Sequence, residues 1–338
     1  MMPFSNVLTD ISLKDEDLHY DDFPSGEDLW HESHWNIIGE SEGYDFMLLR
    51  RMVIRRVYNP KGQWTDPGDN FDHETTLVMR PSSLRGKAME DHDFIQTGHY
   101  FTQAHPLSDL EVTATDREVT WAAHGCTYVS RPPVWELKGT HGGVTLDLTI
   151  RQMPPAWWIL GPWQDAMKMN RGGYDAPCSV EGTITVHGRS FTLQNGYGIR
   201  EHMATGSKMN VIAGIPQSQR MYWDWLVSKD YSIFFFTHSL YVHMGIVRAF
   251  GEDFLFDAKA GKGKIKHTVL ENWNDPRSGL ALPTRRHLAM ASDRGVLDIE
   301  ISAHGRSYMH WVMTEGLRVE IYQIGVANGE FVTTDGRS

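Results

Sequence analysis

The sequence predicts an all-β protein, with antiparallel strands closed into barrels or sandwiches. Three observations carry that expectation. Apolar residues recur with period two, glycine-bearing turns separate those runs, and helical periodicity is scarce.

The alternation is clearest in "VTLDLTIR". There Val144, Leu146, Leu148 and Ile150 share one face, and Thr145, Asp147, Thr149 and Arg151 the other. "VLDIEIS" repeats it, with Leu297, Ile299 and Ile301 against Asp298, Glu300 and Ser302. "LRVEIYQI" does so again, with Leu317, Val319 and Ile321 against Arg318, Glu320 and Tyr322. A strand with one face in the core and one in water needs this pattern. "THGG" (140–143) and "VHGRS" (186–190) read as hairpin turns. "TITVHGRSFTL" is then one hairpin with Gly188 and Arg189 at its tip, Gly188 supplying a positive φ. The best helical stretch is "WQDAMKMN" (163–170). "PPAWWILGPW" (154–163) reads as an aromatic loop closing one end of a barrel, and "AKAGKGKIK" (258–266) as an exposed turn.

The chain has 338 residues, 41% of them hydrophobic, which is enough for two domains with buried cores. Net charge is -11 and the pI is near 5.8, so there is no surplus of Lys and Arg to displace counterions. No nucleic-acid partner is expected. Arg50, Arg51, Arg55 and Arg56 cluster, and their alternating apolar neighbours suggest a solvated strand face. Cys126 and Cys178 allow a disulfide that nothing in their spacing demands. The first residues show no basic segment followed by an apolar one. "YSIFFFTHSLYVHMGIV" is broken by Thr237, His238, Ser239 and His243, which argues against an integral membrane segment. The expectation is a cytoplasmic protein with reduced thiols, with a homodimer left open. Twelve Trp, twelve Tyr, fourteen Phe and sixteen Met could fill a core or line a large apolar cavity, and composition does not separate the two.

The sequence holds no phosphate-binding loop, no dinucleotide fingerprint, no G-x-S-x-G elbow and no H-E-x-x-H. No cofactor and no metal are expected. His31 and His34 stand three apart in "WHESHW", which in a strand puts them on opposite faces. "NGYGIREHMATG" carries more. Arg200 and His202 share one strand face and Glu201 points the other way. The bland alternatives are an outward polar face or a satisfied core histidine. In "YWDWL", Tyr222, Asp224 and Leu226 share a face opposite Trp223 and Trp225. A carboxyl in an apolar wall keeps its proton more tightly and can serve as a general acid. The alternative is an outward Asp224 paired with Arg220 or Lys229.

"GYGIREHM" followed by "YWDWL" resembles the hallmark of the AttH / carotenoid 1,2-hydratase group of lipocalin-like proteins. "LWHESHWNIIGESEGYDFMLLR", "WELKGTHGGVTLDLTIRQMPPAWW" and "WNDPRSGLALPTRRHLAM" are similar to other segments of that group, in the same order. The resemblance spans about residues 18 to 325. It implies two consecutive lipocalin-like antiparallel β-barrels with few short helices, expected over residues 1–205 and 206–338. The group includes polyene hydratases and fungal Diels-Alder cyclases, so fold transfers better than reaction. Carried over by position, His202, Tyr222 and Asp224 match active-site residues of the hydratases, and Glu201 stands where an Asp precedes the family histidine. Ala204 and Thr205 replace the family's Trp-Gly, and the span from His202 to Tyr222 is short.

The expected function is that of a cofactor-independent hydro-lyase, isomerase or cyclase. Its substrate would be a hydrophobic, terpenoid- or polyketide-like molecule, and its first step a protonation. Asp224, His202 and Tyr222 would be catalytic. Trp223, Trp225, Trp157, Trp158, Arg200, Glu201 and Tyr197 would line the substrate. Strand parity separates Trp223 and Trp225 from Asp224, which sets two of these roles against each other. The alternatives are a binding protein for a lipid, carotenoid or steroid, and a pericyclase that needs no proton transfer.

Overall fold

The computed structural model describes residues 8–17, 29–57, 68–87, 100–153, 155–161, 171–206, 221–238, 242–258, 261–275, 279–313 and 316–338. They form an all-β protein with one short helix. The chain divides into two compact units. The first comprises Met1–Met79, Thr97–Gly214 and Ser307–Tyr322; the second comprises Arg80–Gln96, Ile215–Arg306 and Gln323–Ser338.

In the first unit the elements run β1 (Leu8–Thr9), α1 (Leu13–Glu16), β2 (Leu29–Ser41), β3 (Tyr44–Val57), β4 (Gly68–Pro81) and β5 (Tyr100–Pro106). They continue as β6 (Glu111–Ala114), β7 (Val119–Ala123), β8 (Cys126–Arg131), β9 (Val134–His141) and β10 (Val144–Gln152). β11 (Ala156–Gly161), β12 (Arg171–Val186), β13 (Arg189–Thr192) and β14 (Gln194–Gly206) complete it. One antiparallel sheet takes the order β5-β4-β3-β2-β14-β12-β10-β9-β8-β7-β6. Strands far apart on that path touch. Arg50 of β3 donates to the Val144 carbonyl of β10 at 3.0 Å, and His73 of β4 lies 2.8 Å from the Tyr128 hydroxyl of β8. The sheet therefore curls on itself, and Trp35, Trp135, Phe46, Leu148 and Phe191 fill its concave side.

The hairpins share one device. β2–β3, β7–β8, β9–β10 and β12–β13 turn on Glu42-Gly43, His124-Gly125, Gly142-Gly143 and His187-Gly188, and both residues of each pair have positive φ. That is the two-residue turn whose twist matches antiparallel strands. The 186–190 turn is thus His187-Gly188, and Arg189 already belongs to β13.

Two further expectations change. Residues 156–161 are not a loop: Ala156–Gly161 is strand β11, paired with β1 and β12. Arg50, Arg51, Arg55 and Arg56 are not a solvated face, for all four are buried. β3 lies inside the sheet. Arg50 enters the core, Arg51 pairs with Glu32 and Glu74, and Arg55 pairs with Asp72 from the neighbouring strands. Carboxylates distant in sequence neutralise the cluster, so it presents no basic patch. The helix expected at 163–170 and the span 207–220 lie outside the described residues.

The second unit holds two four-stranded meanders. One is β15 (Met221–Val227), β16 (Ser232–His238), β17 (Val242–Ala249) and β18 (Glu252–Asp257). The other is β19 (Lys264–Asn274), β20 (Ala281–Ala291), β21 (Gly295–Met313) and β22 (Gly316–Thr333), of which residues 307–313 and 316–322 are counted with the first unit. Phe235, Val247, Phe254 and Phe256 of the first share a core with Leu288, Met290, Leu297 and Ile299 of the second. The backbone of Gly245 packs so close to Met290 that an added Cβ would lie 2.2 Å from its sulfur. Cys126 and Cys178 are buried free thiols. No helix among the described residues is long and apolar enough to cross a membrane.

Candidate functional site

β14 carries the sequence's densest chemistry, and the strand period sorts it onto two faces. Arg200 and His202 point into the curled sheet and converge on Glu16, the last residue of α1. The helix begins with a Ser12/Asp15 capping box. Glu16 is fully enclosed and accepts from Arg200 Nη2 at 2.7 Å, Trp135 Nε1 at 2.8 Å, Ser130 Oγ at 3.1 Å and the Tyr174 hydroxyl. Burial pushes this carboxyl up, but the Arg200 charge and the hydrogen bonds outweigh it, so it stays below the usual range. His202 Nδ1 is 3.6 Å from Glu16, and its Nε2 is 2.9 Å from Nε2 of His31. Burial, then Arg200 and His31, hold His202 well below the ordinary imidazole value, so it is neutral. Trp158 packs on Tyr174 beside this group, at 5.7 Å between centroids.

The opposite face carries Glu201. Its carboxylate lies 2.8 Å from Nδ1 of His34, its register partner on β2. A carboxylate oxygen of Glu32 also lies within 4.8 Å of one of Glu201. Arg51 donates to Glu32 at 3.1 Å and also holds Glu74. Burial, countered by Arg51 but reinforced by the Glu201 charge, raises Glu32 to about 7. Burial and a like charge at short range both favour the protonated form of Glu32 here. The side chain of Glu32 is 3% exposed and that of Glu201 10%, so the pair opens toward Glu201. Tyr197 lies on the same face of β14, half-buried. Glu32, His34 and Glu201 are metal-ligating types with ligand atoms within 4.8 Å of one another. Arg51 already supplies the positive charge at Glu32.

In the second unit, Arg286 grips both oxygens of Asp224, at 2.9 and 2.7 Å. The guanidinium also lies over the Tyr222 ring at 5.4 Å, and His267 meets that ring edge-on at 4.4 Å. Asp224 thus pairs with a residue 62 positions away, and Arg220, one of the partners expected for it, lies outside the described residues. Trp223 and Trp225 lie on the other face of β15, against Phe234 and Phe236. They do not line the side on which Asp224 sits. Trp157 and Trp158 likewise part: Trp158 belongs to the curled-sheet core, and Trp157, also buried, is next to it on the alternate face of β11.

The structure therefore joins Arg200 to His202, and Tyr222 to Asp224. Residues that sequence reasoning did not single out complete each group: Glu16, Glu32 and Arg286. The Ser12/Asp15 box was the one local signal for Glu16.

Among the described residues, a curled antiparallel sheet, x-Gly hairpins and a single short α-helix define a lipocalin-like all-β fold. The sequence matches no protein-family model and no curated protein. Among solved structures it is similar to the AttH candidate of Nitrosomonas europaea, with a TM-score of 0.57, 11% identity and 96% of each chain covered. At that identity the likeness is one of fold: this chain is folded like the AttH candidate. CghA is also similar, at 11% identity and a TM-score of 0.49 over 92% of this chain and 90% of that one. CghA bound to Sch210972 gives 10% and 0.44, over 91% and 86%.

Proposed function

We propose that the protein is an acid–base enzyme that acts on a hydrophobic small molecule without a cofactor, using Glu32 as the proton donor. The observation that supports this is the enclosed Glu32–Glu201–His34 chain, in which a carboxyl keeps its proton near neutral pH beside a ready acceptor. Glu32 would protonate an alkene, an epoxide or a leaving hydroxyl. A cation forms on the substrate carbon. Water then adds, or a neighbouring C–H loses its proton, and Glu201 with His34 takes that proton up. Hydration, dehydration, isomerisation and cyclisation share this opening step.

In this reading Arg200, Glu16 and His202 fix β14 from inside, so that Glu201 is presented on the other face. For Asp224 to donate a proton, Arg286 must first release it. Asp224, Arg286 and Tyr222 are instead a polar anchor within the second unit. A non-catalytic carrier of a lipid, carotenoid or steroid is the second reading, favoured by the fact that Glu16 and Asp224 are each fully engaged by a guanidinium. Mass spectrometry of small molecules that copurify with the protein identifies the ligand class. Incubation of that molecule with wild type and Glu32→Gln then separates the readings: an enzyme changes it, and Glu32→Gln does not.

A further inference from the structure

The curled sheet has two ends, β5 and β6, joined through a short 3-10 turn, Leu107–Asp109. Beside that junction stands the β7–β8 turn. Three side chains meet there: His105 from β5, Asp109 from the 3-10 turn and His124 from the β7–β8 turn. Their ligand atoms all lie within 4.8 Å of one another, and His124 Nε2 is 3.6 Å from Asp109 Oδ2. The two imidazoles lie with centroids 4.1 Å apart. Both rest on the buried Phe71 ring, at 5.1 and 6.1 Å. Phe71 is a floor that orients the two rings from below. The open side faces water, since the side chains of His124 and Asp109 are 44% and 39% exposed.

We propose that His105, Asp109 and His124 form a transition-metal site, with zinc as its simplest occupant, that clasps the seam of the curled sheet. Two imidazoles and one carboxylate are a donor set suited to zinc, with water completing the tetrahedron. Ligand atoms around tetrahedral zinc lie roughly 3.3 Å apart, from metal–ligand distances near 2.0–2.1 Å. The remaining closure falls on the side chains of Asp109 and His124, which are exposed. The ligands come from the β5–β6 connection and from the β7–β8 turn. A bound ion therefore ties these segments together, and binding to the folded state alone raises stability. The site is separate from the groups assigned to proton transfer, and its occupancy is independent of that chemistry.

Calorimetric titration of the full-length protein, stripped with EDTA and dialysed, with zinc chloride tests this. One saturable site is expected, together with a rise in Tm. His124→Asn retains the turn, because Asn tolerates positive φ. It and Asp109→Asn should each weaken zinc binding by at least about tenfold and remove the Tm rise. Magnesium chloride, which prefers six oxygens, should do neither. No saturable binding, or binding of equal strength in His124→Asn, overturns the proposal and leaves the two rings as a stacked cap on Phe71. Both substitutions are at exposed positions, and circular dichroism of each variant verifies its fold.

Discussion

Glu201 and His34 share a 2.8 Å hydrogen bond on the face of β14 opposite to Arg200 and His202. One residue of offset along a strand thus separates two kinds of chemistry. The inner pair is locked into an ion pair around Glu16. The outer residue stands beside Glu32, their carboxylate oxygens within 4.8 Å. The pleat forces this division, because neighbouring side chains cannot share a face.

Glu32 makes stability depend on pH. Its carboxyl is raised from 4.5 to about 7 in the folded chain, so the folded state holds the proton more tightly than the unfolded one. That contribution is complete below about pH 4.5 and is lost as pH rises to about 7, a change of order 3 kcal/mol. Urea denaturation of wild type and Glu32→Gln between pH 4.5 and 8 checks it. The difference between the two should shift in the variant's favour as pH rises.

The imidazoles opposite act with the other sign. His141 stacks on His73 at 3.6 Å and shares a hydrogen bond with Thr75. Burial, then the Arg50 charge, push His141 down to about 3. Stability from its neutral form is present above about pH 6.5 and is lost as pH falls toward 3. His141→Gln keeps a partner for Thr75 and should flatten the acid limb of the stability curve, by about 1–2 kcal/mol near pH 5.

Glu16 holds Arg200 in a site closed to water. Glu16→Ala strands the guanidinium and should cost about 3–5 kcal/mol. Arg200→Met in the same background should recover much of that loss, so the two effects do not add. A double-mutant cycle by chemical denaturation gives the coupling.

Asp224 and Arg286 form the corresponding pair in the second unit. Asp224→Asn removes the charge but keeps an acceptor, and should cost about 1–3 kcal/mol because Arg286 is 5% exposed. Arg286→Gln should cost a similar amount. Turnover of the copurifying molecule should fall alike in both. A loss confined to Asp224→Asn would mark Asp224 itself as the donor.

Much of the fold was legible because strands write their period locally. Val144, Leu146, Leu148 and Ile150 are buried, and Asp147 and Arg151 exposed, as the alternation requires. The opposed faces of Arg200 and Glu201, and of Asp224 and Trp225, follow from the same count. What stayed hidden depends on partners distant in the chain. Arg50, Arg51 and Arg55 look like a wet basic face until β2, β4, β8 and β10 bring Glu32, Glu74, Asp72, Cys126 and the Val144 carbonyl to them. Glu16 is one acidic residue among several in "LKDED", and only the fold gives it four different donors. Arg286 stands in "PTRRHL" with nothing local to tie it to Asp224.

The most direct test of the proton-donor claim is turnover of the copurifying molecule in D2O, followed by mass spectrometry. With Glu32 as the acid, wild type converts the molecule, the product carries deuterium at a carbon where an alkene is protonated, the rate falls as pH rises through about 7, and Glu32→Gln leaves the molecule unconverted and unlabelled. Recovery of the molecule unlabelled and unchanged from wild type, or equal labelling by Glu32→Gln, would contradict it.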